Sequence, residues 1–107
     1  MSSFDPIEVA CAWLYAYRAA SISIVELYAE EASLECGCAS DALHDRTAIT
    51  EYWSRRFFQE PAGKLLDIQQ LGETVIIRYR VPDGIVRAVL QFDDEGKISR
   101  SFCTTTH

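Results

Sequence analysis

The sequence predicts an α+β domain in which three N-terminal helices pack on one side of a curved, mainly antiparallel sheet. Three observations carry this reading. The chain opens on a helix-start signal, Asp5-Pro6-Ile7-Glu8, that leads into a largely apolar run. From Lys64 onward the hydrophobic period changes to two, with turn residues at 72–73, 82–84 and 93–96. Between these halves, residues 24–53 hold a short helix, an acidic turn, a strand, a loop and a new amphipathic helix.

Asp5 can cap the first helix, Pro6 suits its first turn and Glu8 completes a capping-box spacing. The run from Pro6 to about Ala20 is apolar on most of its circumference, which predicts burial on several sides. Ser23-Ile24-Val25-Glu26 repeats the capping pattern and predicts a second, short helix with Ile24, Leu27 and Tyr28 inward. Glu30 and Glu31 then read as its solvated end, and Ala32 to Cys36 as a short strand with Leu34 and Cys36 on one face. After a loop over 37–45, Asp45 or Thr47 caps a third helix. Its inward stripe is Ile49, Tyr52, Trp53, Arg56 and Phe57, and Pro61 and Gly63 end it.

Four strands fit the remainder, at about 64–71, 74–81, 85–92 and 97–104. Setting Val81 opposite Gly84 gives one apolar face from Val75, Ile77, Tyr79, Val86, Ala88 and Leu90. The other face then carries Ile76, Arg78, Arg80, Arg87, Val89 and Gln91. A slip of one residue would mix arginine into the apolar face, which favours the first pairing, although the Pro-Asp-Gly turn also accommodates a bulged hairpin in the shifted register.

A chain of 107 residues is read as one domain, 1–107. Its net charge of −6 argues against nucleic-acid binding, which needs a basic surface to neutralise phosphates. No leader or membrane span is predicted, and four cysteines without a secretory signal read as reduced thiols of a cytoplasmic protein.

The run LYAEEASLE, the Arg46-to-Ile49 helix start, Tyr52-Trp53 and the FDDEGKI strand turn resemble the nuclear transport factor 2-like superfamily. Its members include SnoaL-like polyketide cyclases and ketosteroid isomerases. The resemblance spans the element order of the whole chain and is most specific over residues 24–53 and 86–103. It implies a cystatin-like, cone-shaped half-barrel with an apolar pocket between sheet and helices, usually homodimeric through the sheet and without an organic cofactor. Ketosteroid isomerases need a carboxylate base and an oxyanion hole built from a tyrosine and a protonated aspartic acid. An ungapped match puts these groups at Cys36, Ala12 and Ala88, so all three are missing. The same match implies a ligand pocket lined by Cys36, Tyr52, Ala88, Ser101 and Cys103. It also implies a dimer interface that includes Arg78, Arg80, Arg87 and Val89.

Candidate chemistry is sparse. Cys36 could act as a nucleophile with His44 as its base, but free cysteine most often simply packs. Cys36, Cys38 and His44 fall short of the four ligands of a structural zinc site, so no metal is expected. Tyr15 or Tyr17 could present a phenol to the pocket, one more naturally as core and the other as rim. Two functional classes follow. One is a SnoaL-like protein that holds a small apolar or aromatic molecule, with cofactor-free isomerase, cyclase or hydratase chemistry. The other is a non-enzymatic dimeric interaction module. An acid or histidine in an open cavity distinguishes the first, and a cavity plugged by Trp13, Tyr52 and Trp53 the second.

Overall fold

The computed structural model describes residues 4–36 and 42–106. Helix α1 spans Pro6–Arg18, and the Asp5 carboxylate caps it by accepting from the Ile7 amide at 3.0 Å. Its inward residues are Pro6, Ala10, Trp13, Leu14, Ala16 and Tyr17, whereas Cys11, Ala12 and Tyr15 are exposed. The burial on several sides predicted from its apolar circumference is therefore not met: one side of α1 meets the sheet, and Cys11, Ala12 and Tyr15 on the other are exposed.

The second helix is a 3-10 segment, Ile22–Leu27, capped by Ser21 and not by the expected Ser23. A 3-10 turn rises faster than an α-turn, so the helix is complete by Leu27. Strand β1, Tyr28–Cys36, consequently starts four residues before the expected Ala32 and takes Glu30 and Glu31 into the strand. It is set by parallel pairing with the last strand, Tyr28 opposite Ile98 and Leu34 opposite Ser101, a partnership that no local pattern encodes. Leu43 closes back on Leu34 through an isolated antiparallel bridge. Helix α2, Arg46–Gln59, is capped by Asp45, whose carboxylate accepts from the Ala48 amide at 2.7 Å.

The meander follows as β2 (Leu65–Leu71), β3 (Thr74–Val81), β4 (Gly84–Phe92) and β5 (Ile98–Thr106). Sheet order is β1-β5-β4-β3-β2, antiparallel except for the β1–β5 pair. The β3–β4 register places Val81 opposite Gly84, Tyr79 opposite Val86, Ile77 opposite Ala88 and Val75 opposite Leu90, the pairing predicted from keeping arginine off the apolar face. Every one of these inner residues except Gly84 is buried. The β4–β5 turn is held by Asp93, whose carboxylate accepts from the Glu95 and Lys97 amides at 2.9 and 3.0 Å. Gly96 is required there: its φ is +80°, and a Cβ would come within 2.9 Å of the Phe4 ring.

The helices lie on the inner face, with Trp13, Trp53, Tyr17, Tyr28 and Tyr79 among the largest buried side chains. No described helix is long and apolar enough to cross a membrane. One arginine stitches the helical layer to the sheet. The Arg46 guanidinium donates to the carbonyl of Val25 at 3.0 Å and to that of Tyr28 at 2.9 Å. It thereby fixes the start of α2 against the point where the 3-10 helix becomes β1.

Two charge-assisted hydrogen bonds to backbone give a concrete expectation. Arg46→Ala should lower stability by about 1–3 kcal/mol in urea unfolding. Arg46→Lys should recover less than half of the loss, because one ammonium cannot reproduce the guanidinium fork.

Candidate functional site

The concave side of the sheet is filled by interlocking rings. Trp13 meets Tyr17, Trp53 and Tyr79 edge-on with centroids 5.6–5.9 Å apart, and Tyr17 meets Trp53 at 4.9 Å and Tyr79 at 5.4 Å. These are favourable aromatic geometries, so the cluster gains specific packing as well as apolar burial. Tyr52 stands half-buried against Trp53, centroids 5.3 Å apart, and Phe57 closes the far side.

Two short polar chains run through this interior. In the first, the Trp13 indole donates to the Tyr28 hydroxyl at 3.2 Å, and that hydroxyl shares a hydrogen bond with Ser101 Oγ at 3.0 Å. It joins α1, β1 and β5. In the second, Arg56 Nε donates to the Tyr17 hydroxyl at 2.9 Å, and Tyr17 in turn donates to the Glu60 carbonyl. It joins the last turns of α1 and α2. Arg56 is only 8% exposed, which makes it a buried cation.

Burial pushes the Tyr28 phenol well above the ordinary tyrosine range, against a weaker opposing pull from the Ser101 hydrogen bond. Tyr79 is raised for the same reason, with the Cys103 thiol adding to the effect. Tyr17 is also raised by burial, and the Arg56 guanidinium beside it limits the rise. All three phenols are therefore held neutral as hydrogen-bonding groups and are poor proton carriers near neutrality.

The expected pocket residues divide. Ala88, Ser101 and Cys103 sit together on the inner face, Ala88 opposite Cys103 and Ser101 opposite Leu90, all essentially buried. Tyr52 stands on α2 with its ring against that of Trp53. The backbone of Cys36 is paired with Cys103 across β1 and β5, while its side chain and the whole of Cys38 lie outside what is described. His44 is exposed. Tyr15 is 77% exposed on the outer side of α1, beside a groove of about 550 Å³ that also includes Cys11, Ala12 and Leu27.

Ala12 likewise faces solvent, and the inward phenol of α1 is Tyr17. An ungapped match carried backward through a 3-10 helix loses the phase of the α-helix before it, since the two coils differ in residues per turn. The arginine that sequence reasoning passed over is Arg56. Its signal was available, because a cation at an inward position of an apolar helical stripe needs a buried partner.

On the outer face, Ile76, Val89 and Phe102 stand opposite one another across β3, β4 and β5, each half-buried. Arg78 and Arg87 pair across the adjacent position, and Arg78 is held by Asp67 at 2.7 Å. Arg100 bridges Glu35 at 2.6 Å, so Glu35 faces outward as strand alternation requires. Val89, Gln91, Arg100 and Phe102 line a depression of about 190 Å³. Arg80 is exposed next to the hairpin.

Helices on one face of this curved, mainly antiparallel sheet, in this order, give an α+β fold of the cystatin-like type. The chain is similar in structure to a SnoaL-like protein of unknown function from Burkholderia thailandensis, with a TM-score of 0.82 at 16% identity over 94% of this chain and 93% of that one. It is also similar to an uncharacterised cystatin-fold protein from Novosphingobium aromaticivorans, with a TM-score of 0.76 at 23% identity over 94% and 98% of the two chains. At these identities the likeness is one of fold. No family model and no curated protein sequence matches the chain.

The raised phenols set the alkaline limit of the fold. An unfolded chain releases tyrosine protons near pH 10, whereas Tyr17, Tyr28 and Tyr79 hold theirs higher when folded. Their contribution to stability is thus complete below roughly pH 10 and falls as pH rises above it. In an alkaline titration followed at the tyrosinate absorption band, these three should ionise only together with loss of the folded circular-dichroism signal. Tyr28→Phe should weaken this coupling.

Proposed function

We propose that this chain acts as a dimeric interaction module whose contact surface is the outer face of the sheet. In this reading the concave side is a packed aromatic core and does not house proton-transfer chemistry. The observation that carries it is the ring cluster of Trp13, Tyr17, Trp53 and Tyr79, which occupies the concavity where a small apolar guest would sit. The buried polar residues described are Arg56 and Ser101, and neither is a base that works near neutrality.

The outer face has the character of a contact surface. The row Ile76–Val89–Phe102 crosses three strands, and the ion pairs Arg78–Asp67 and Arg100–Glu35 flank it. An apolar centre with a charged, arginine-bearing rim is the composition of protein interfaces. One patch meeting its own copy across a two-fold axis also satisfies the symmetry of a dimer. Arg80, Arg87 and Val89 would then lie at or beside the contact. A second reading keeps the small-molecule role, with Tyr52, Ala88, Ser101 and Cys103 around a guest and Cys36 at the mouth. The specific support for it is the buried Arg56.

Size-exclusion chromatography with light scattering tests the first reading. The wild-type chain should elute at twice its monomer mass, and Val89→Glu or Phe102→Glu should give monomers whose circular dichroism is unchanged. A monomeric wild type at micromolar concentration would remove the proposal.

A further inference from the structure

The side of α1 turned away from the sheet carries Glu8, Cys11, Ala12, Tyr15 and Arg18, all exposed. Tyr15 is its one large ring, 77% exposed, and it stands as a ridge between two grooves. On one flank Cys11, Ala12, Ala16, Ser21, Ser23 and Leu27 line a groove of about 550 Å³ between α1 and the 3-10 helix. On the other, Leu14, Arg18, Leu65 and Ile77 line a smaller one of about 200 Å³ that reaches the sheet. The larger groove has room for a phenol ring. The small side chains of Ala12 and Ala16 keep its floor low, so a ridge from another helix can seat there.

The charges along α1 select the occupant. Glu8 lies in the first turn and Arg18 in the last, about 15 Å apart along the axis. Neither belongs to the ion pairs found among the described residues, Arg78–Asp67 and Arg100–Glu35. A helix laid antiparallel on this side must therefore offer a cation to Glu8 and an acid to Arg18. A reversed copy of α1 offers both, and its dipole opposes that of the first helix.

We propose that the outer side of α1 is a self-contact, in which the α1 helices of two copies lie antiparallel about a two-fold axis level with residue 13. Two separate requirements lead to this axis. Joining the charges sets Arg18 level with Glu8 of the second copy. Seating the ring sets Tyr15 level with Cys11 of the second copy, where the larger groove is open. Residue 13 is midway in both cases, and a single patch meets itself as two-fold symmetry demands. The contact is small, so pairing belongs to the weak class and sets in above roughly 100 µM. It does not rest on the sheet-face reading. Where both contacts form, this one joins sheet-paired dimers into tetramers.

Sedimentation velocity of the Val89→Glu chain tests it, because that change silences the sheet face and leaves α1 untouched. The chain should pass from monomer to dimer between about 10 µM and 1 mM. In that background Arg18→Glu, or Glu8→Arg, should weaken pairing roughly 10-fold, since the axis then repeats a like-charged pair twice. The two reversals together should restore it, which a merely disturbed helix would not do. Tyr15→Ala should abolish pairing with circular dichroism unchanged. If the charge variants fail to fold, cross-linking of the wild-type chain supplies the readout. A short bis-maleimide should join two chains through Cys11, which this pairing sets on the order of 10 Å from its copy, and Tyr15→Ala should remove that link. A strict monomer at about 1 mM, pairing indifferent to Tyr15→Ala, or charge reversal without rescue would overturn the proposal and leave the grooves to a different occupant.

Discussion

The register of β3 against β4 and β5 is the constraint on which the rest depends. Side chains alternate strictly along a strand, so one pairing decision assigns every residue of the meander to the core or to the outer face. With Val81 opposite Gly84, the inner face is wholly apolar and Arg78, Arg80 and Arg87 are sent outward. A shift by one residue would bury these guanidinium groups without partners and expose Ile77 and Tyr79. The same pairing, continued into β5, sets Ala88 beside Cys103 and brings Ser101 under Tyr28.

With that face fixed, the helices have a surface of one curvature to cover, and they cover it with rings. Aromatic side chains suit the task because each carries a large apolar body and several carry a polar tip. The tips are then tied to one another across elements: Trp13 to Tyr28 to Ser101 in one place, Arg56 to Tyr17 to Glu60 in another. These links explain how a core built from such wide side chains holds a single arrangement. They also explain its chemistry. Burial makes the phenols of Tyr17, Tyr28 and Tyr79 harder to ionise, so they act as neutral hydrogen-bonding groups and are poor proton carriers near neutrality.

Alternation serves the outer face equally. The residues that do not go inward gather into an apolar row with charged flanks, so inner and outer faces come from one pattern. The fold itself does not assign a role, since similar scaffolds host unrelated functions.

The sequence by itself determined the α+β class, the cap at Asp5, and the strand boundaries from Leu65 onward to within two residues; for α2 it offered Asp45 or Thr47, and Asp45 is the cap. It also favoured the observed β3–β4 pairing over the shifted register. All of these rest on signals between near neighbours: a carboxylate three residues from an amide, a period of two, a turn of glycine and aspartate. Tertiary structure decided what depends on partners far along the chain. β1 begins at Tyr28 because β5 offers it a parallel edge, which is why Glu30 and Glu31 left their expected helix end for a strand. α1 shows Ala12 and Tyr15 to solvent and Tyr17 to the core because only one side of it meets the sheet, and apolar composition does not say which. Arg56 was legible as part of an inward stripe, but its Tyr17 anchor exists only where two helix ends, 39 residues apart in sequence, are folded together.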